Sequence, residues 1–144
     1  AAGNQSTKFV SSPGIFATST DANGNLLLGG RVIIAGNYNT TLNYIEGAQA
    51  GHMCRVVVNG VCTDKYRASD FYLLAPGVAI NSTYLNGTYT NMSGTSMAAP
   101  AISGAVAVVH QLWPYMKGDQ IVQVLLKTAN KNLPGYFLKP KNRK

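Results

Sequence analysis

Residues 97–112 are almost wholly small or apolar and carry no charge, enough for about four turns of helix. A helix that is apolar on every side has to be buried, so the chain must build a core around it. Pro100 is expected in its first turn, where a missing N–H has no partner to lose. Trp113-Pro114 closes the helix. Directly at its head stands Gly94-Thr95-Ser96-Met97-Ala98-Ala99-Pro100. Ser96 therefore sits at a helix mouth, among N–H groups without intrahelical partners and at the positive end of the dipole. Both would stabilise an oxyanion forming beside its hydroxyl. The plain alternative is an N-cap, a place where Ser and Thr are common.

The remainder reads as strands and loops leading to that helix. Ala1-Ala2-Gly3-Asn4 is read as the end of a buried strand running into a turn. Residues 5–25 are rich in Ser, Thr, Gly, Asn and Pro and are read as loop. The apolar run at 31–36 predicts a buried strand, and 37–53 returns to loop composition. Residues 71–75 predict a second buried strand, closed by Pro76-Gly77, with a short continuation at 78–80. Residues 83–94 are polar and turn-rich. A second helix fits 118–129, with Ile121, Val124, Leu125 and Thr128 on one face. Asp119 in its first turn and Lys127 in its last suit the helix dipole. At 144 residues this predicts one α/β domain whose central helix packs on a sheet.

Charge and cysteines narrow the function classes. Twelve Lys and Arg stand against five Asp and Glu, a net charge of +7. Lys139, Lys141, Arg143 and Lys144 crowd the end and the rest are scattered, so we expect a solvated tail rather than a nucleic-acid site. No stretch of 18 or more apolar residues is present, and no membrane span is expected. Asn59-Gly60 between β-branched residues signals a hairpin, which would bring Cys54 and Cys62 within disulfide reach. Two free thiols remain equally open. His52 alone near them gives little basis for a metal site.

The string Gly94 to Pro100 matches at every position the nucleophile motif of subtilisin-like (S8) serine proteases, G-T-S-M-A-x-P, and other segments resemble that family in the same order. Ala1 to Asn4 resembles the strand end that supplies an oxyanion-hole asparagine. Residues 31–37 resemble its V-x-A-V-G-A strand, and Phe71 to Ile80 its hydrophobic-A-P-G-x-x-I segment. The resemblance implies the C-terminal portion of a three-layer α/β/α fold with a mostly parallel sheet over residues 1–137, followed by a basic tail at 138–144. It implies Ser96 as nucleophile, and Asn4 and the Ser96 N–H as oxyanion donors. Gly3, Pro13, Gly14 and Thr95 would line the place of the substrate residue before the cut bond, with Ser12–Pro13 a candidate cis bond. The partners implied are a protein or peptide substrate and the upstream part of the same catalytic domain, in an extracytoplasmic setting. No organic cofactor is implied. Calcium is common in the family, but no carboxylate cluster here supports a site.

The sequence also departs from the pattern. The base and the acid of a serine protease triad are missing. His110 follows Ser96 by 14 residues on one helix, ~21 Å away at 1.5 Å per residue, and His52 has no family context. The family order is Asp, His, Asn, Ser, so the first two are expected on an upstream segment. The stretch between Asn4 and Ser96 is long, with the excess expected in 17–30 and 47–70. Sequons stand at Asn4, Asn39, Asn81, Asn86 and Asn91. A non-catalytic scaffold of the same fold, used for binding, is the alternative function.

Overall fold

The structure is a computed structural model that describes residues 1–4, 10, 12–41 and 65–132, with the backbone of 44–46, 57–58 and 61–62. Its centre is a three-stranded sheet in which β1 (Ile34–Asn39) lies between β2 (Tyr44–Glu46) and β5 (Tyr72–Pro76). β1 and β5 run parallel, with Ile34 opposite Tyr72 and Tyr38 opposite Pro76. β2 pairs with the last three residues of β1 in the antiparallel sense. Ala2 lies beside β1 as well, its N–H donating to the Ala35 carbonyl at 2.8 Å. This is an α/β fold with a parallel strand pair at its core.

Side chains alternate across β1 as strand geometry requires. Ile34 faces a cluster of Ala2, Val10, Ala17, Ala68 and Phe71, with Leu126 against it. Ala35 faces the other way, toward Ala75, Ala98 and Ile102. Gly36 follows, and a Cβ there would run into the Tyr72 ring and hydroxyl. The bare backbone at Gly36 is what lets the β5 tyrosine fold across its neighbour.

Helix α1 (Thr95–Leu112) packs on the Ala35 face. It is not buried on all sides, contrary to expectation. Thr95, Ala98 and Ile102 are buried, whereas Val108 and Leu112 are 57% and 63% exposed. The cause is the narrow sheet: β1 and β5, the described strands that pack most closely on this 18-residue helix, cover one face of it. Because α1 starts at Thr95, Pro100 falls in its second turn, not its first. The bond it cannot make would have gone to the Ser96 carbonyl. Helix α2 (Gly118–Thr128) matches the predicted span, with Ile121 and Val122 buried and the Lys117 N–H capped by Gln120 Oε1 at 2.8 Å.

Other boundaries moved. β1 begins three residues later than the predicted strand and runs into the predicted loop, because its register is set by β5 and β2 together. Of 78–80, only Ile80 is in a strand. It opens β6 (Ile80–Thr83), which pairs with β7 (Tyr89–Met92) inside the stretch read as irregular. β3 (Val57–Val58) and β4 (Val61–Cys62) form the hairpin expected around Asn59-Gly60. In its register Cys62 stands opposite Val57; Cys54 lies outside the described residues. So do His52 and the tail at 138–144. The two stretches expected to hold the excess length meet where Lys65 Nζ donates to the Gly24 carbonyl at 3.1 Å. No helix among the described residues is long and apolar enough to cross a membrane.

Candidate active site

α1, the loop after β5 and the segment ending at Asn4 converge at Gly94; that segment is not the strand end expected, since residues 1–4 form no strand. The φ of Gly94, 148°, lies where only glycine is comfortable. A Cβ on it would also come within 2.9 Å of the Asn4 Nδ2. The Gly94 N–H donates to the Gly77 carbonyl at 2.7 Å, and the Gly94 carbonyl accepts from Met97 N at 3.0 Å. Gly77 is itself bare for a reason: a Cβ would strike the Cβ of Asn37 and sit 2.9 Å from the Gly94 carbonyl. The sequence reading took Pro76-Gly77 as a strand stop and missed that this glycine carries the turn before Ser96.

Asn4 comes to this turn from 91 residues earlier in the chain. Its Oδ1 accepts from the Thr95 N–H at 2.8 Å and from the Thr95 hydroxyl at 3.0 Å. The same hydroxyl accepts from the Gly3 N–H at 3.2 Å. With the amide oxygen held twice, the Nδ2 end is directed away from Thr95 and remains a donor. Thr95 is 1% exposed, so its side chain serves Asn4 and Gly3 and is not turned to solvent. Ser96 and Asn4 are both exposed. The Ser96 N–H belongs to the first turn of α1, whose N–H groups find no carbonyl within the helix.

The other predicted site residues lie close by in the fold. The Ser12–Pro13 bond is cis, and Pro13 precedes a 3-10 helix at Gly14–Thr18. Gly14 is buried; a Cβ on it would press on Val10 and lie 3.4 Å from the Ala1 carbonyl. The Pro13-Gly14 segment therefore abuts the segment that carries Gly3 and Asn4. His110 is exposed in the last turn of α1 and the helix holds it apart from Ser96. Among the described residues, no group of three or more His, Cys, Asp or Glu is gathered for a metal.

Residues 1–141 match the profile of the subtilase family, Peptidase_S8. The chain belongs to the subtilase family. It is similar to subtilisin DY of Bacillus licheniformis, with 35% identity over 80 residues that make up 51% of this chain and 29% of the relative. Among solved structures it resembles the prenylagaramide maturation protease PagA and the self-cleaved protease domain of PatA. Each has a TM-score of 0.59 at 21% identity over 90% of this chain, and 38% and 40% of theirs. Sphericase gives a TM-score of 0.56 at 23% identity, covering 89% of this chain and 38% of that one. This subtilase chain thus spans well under half the length of the relatives it matches, and at these identities the solved structures speak for the fold alone.

Proposed function

We propose that this chain is the C-terminal part of the catalytic domain of an extracytoplasmic subtilisin-like endopeptidase, with Ser96 as nucleophile. The Ser96 hydroxyl attacks the scissile carbonyl carbon and gives its proton to a base. The carbonyl oxygen becomes an oxyanion that takes hydrogen bonds from Asn4 Nδ2 and the Ser96 N–H. Collapse expels the amine and leaves an ester on Ser96, which water then cleaves. The base and its orienting acid come from residues outside this chain, because His110 lies ~21 Å along the helix. Gly3 and the Pro13-Gly14 segment flank the residue before the cut bond.

The observation that carries this reading is the double hold on the Asn4 Oδ1 by Thr95. It leaves the amide N–H pair next to Gly94, where a Cβ would come within 2.9 Å of Nδ2, two residues before Ser96. Held by its oxygen, this asparagine binds the first N–H of α1 and keeps its Nδ2 as a donor for an oxyanion.

The test is turnover of an unstructured polypeptide by the longest gene product containing this chain. The expected result is cleavage with a burst of acyl-enzyme, abolished in Ser96→Ala with its melt unchanged. Unchanged cleavage in that variant removes Ser96 as the nucleophile, and no cleavage by a parent with Asp and His upstream points instead to the scaffold reading.

A further inference from the structure

Ala79 holds a φ of 52°, in the left-handed region, where a Cβ crowds the following carbonyl oxygen. Asn86 and several glycines also stand at positive φ, but those residue types tolerate it. Alanine does not. A backbone outlier of this kind persists only where its surroundings over-determine it, and such outliers gather near functional sites. The Ala79 side chain is exposed, so burial does not force the bend.

What holds it is the segment that carries the nucleophile. The Ala79 N–H donates to the Ser93 Oγ at 2.9 Å. One residue further on, the Gly94 N–H donates to the Gly77 carbonyl at 2.7 Å. Residues 77–79 are thus tied twice to residues 93–94, immediately before Thr95 and Ser96. Toward the sheet the same segment is held less closely. The Gly77 N–H meets the Tyr38 carbonyl at 3.3 Å, just past the usual range for such a bond. Against Gly77 lies Asn37, which is 2% exposed and whose Oδ1 has no hydrogen-bond partner among the described residues. A buried acceptor left alone gives the bend no support from that side.

We propose that Ser93 is a positioning residue for the nucleophile: its hydroxyl keeps Ala79 in the left-handed conformation, and the bend so formed presents the Gly77 carbonyl to Gly94 and fixes the entry into α1. Ser96 and its N–H lie in the first turn of that helix, so their direction toward a scissile carbonyl follows from this entry. Without the Ser93 hydroxyl, Ala79 relaxes to negative φ, the Gly77 carbonyl turns, and Gly94 loses its brace. The proposal rests on Ser96 being the nucleophile, and it adds a residue outside the Gly94–Pro100 motif.

The experiment uses the longest gene product containing this chain and one peptide substrate. The kcat is taken per active site, titrated by the burst from an activated ester, so a misfolded fraction does not enter it. Ser93→Ala is expected to lower kcat about tenfold with KM within about twofold of the parent. Ser93→Thr, which keeps the hydroxyl, restores kcat. Glycine adopts positive φ without a tie, so in an Ala79→Gly background the same Ser93→Ala change should cost no more than about twofold. Parent kcat in Ser93→Ala overturns the proposal and leaves the nucleophile standing, even if the melt of that variant falls. So does a loss of equal size in both backgrounds. Should Ser93→Ala alone not fold, the double variant decides: the kcat of Ala79→Gly supports the proposal, and one well below it overturns it. A parent that does not cleave removes this proposal and the nucleophile reading together.

Discussion

Thr95 links more of this site than the residue it precedes. One buried hydroxyl donates to Asn4 and accepts from Gly3, so two residues from the start of the chain are set by one side chain 91 or more positions later. Replacing it by an isosteric apolar residue tests that dependence. In Thr95→Val the Asn4 amide loses one of its two anchors and the Gly3 N–H loses its acceptor. The expected cost is about 1–2 kcal/mol of stability and about a tenfold loss in kcat, with Thr95→Ser recovering most of both. Parent kcat in Thr95→Val means the amide needs no second anchor. Serine at a helix mouth was legible in the sequence, as was an asparagine near the start of the chain, although residues 1–4 do not form the strand expected there. Their joining through Thr95 was not, because a hydroxyl read along the chain gives no sign of which distant amide it meets.

At the level of elements, legibility followed the strength of the local pattern. α2 was readable because its face repeats at helical spacing, and the β3–β4 hairpin because Asn59-Gly60 marks it. The β6–β7 hairpin was missed although Asn86-Gly87 offers the same signal, with both residues at positive φ in the structure. Its strands are Ser, Thr and Asn with few apolar positions, so no alternation announced them. β1 slid by three residues because pairing partners, not its own composition, set its ends. The Tyr72–Gly36 contact makes a further prediction at this scale. Burial pushes the Tyr72 phenol up from 10.0 to about 12, so the folded state holds that proton more tightly than the unfolded chain does. Stability is whole below about pH 10 and falls between about pH 10 and 12, where the unfolded chain ionises first. Thermal melts across that window should show the fall, and Tyr72→Phe should flatten it. An equal alkaline fall in Tyr72→Phe assigns the effect elsewhere.

For the whole molecule, the uncharged helix α1 (Thr95–Leu112) ends up covered on one face. An 18-residue helix with open apolar positions is half of a packing arrangement. Solved relatives are more than twice as long as this chain, and we expect the upstream part of the catalytic domain to lie against that surface. The 144 residues alone should therefore self-associate and melt without a sharp transition. They should also show negligible turnover; a monomeric, cooperative melt of the isolated chain contradicts the first expectation, and turnover abolished by Ser96→Ala the second.

Whether Ser96 and Asn4 act on one carbonyl is tested most directly by the rate at which a fluorophosphonate probe labels the longest gene product containing this chain. Label is expected on the peptide that holds Ser96 and none in Ser96→Ala. In Asn4→Leu the expected rate is lower by about 10²–10³, a magnitude that belongs to the equivalent asparagine of subtilisin and is carried over from it. An Asn4→Leu protein that labels at the parent rate, or label that never reaches Ser96 when Asp and His are present upstream, contradicts joint action on one carbonyl.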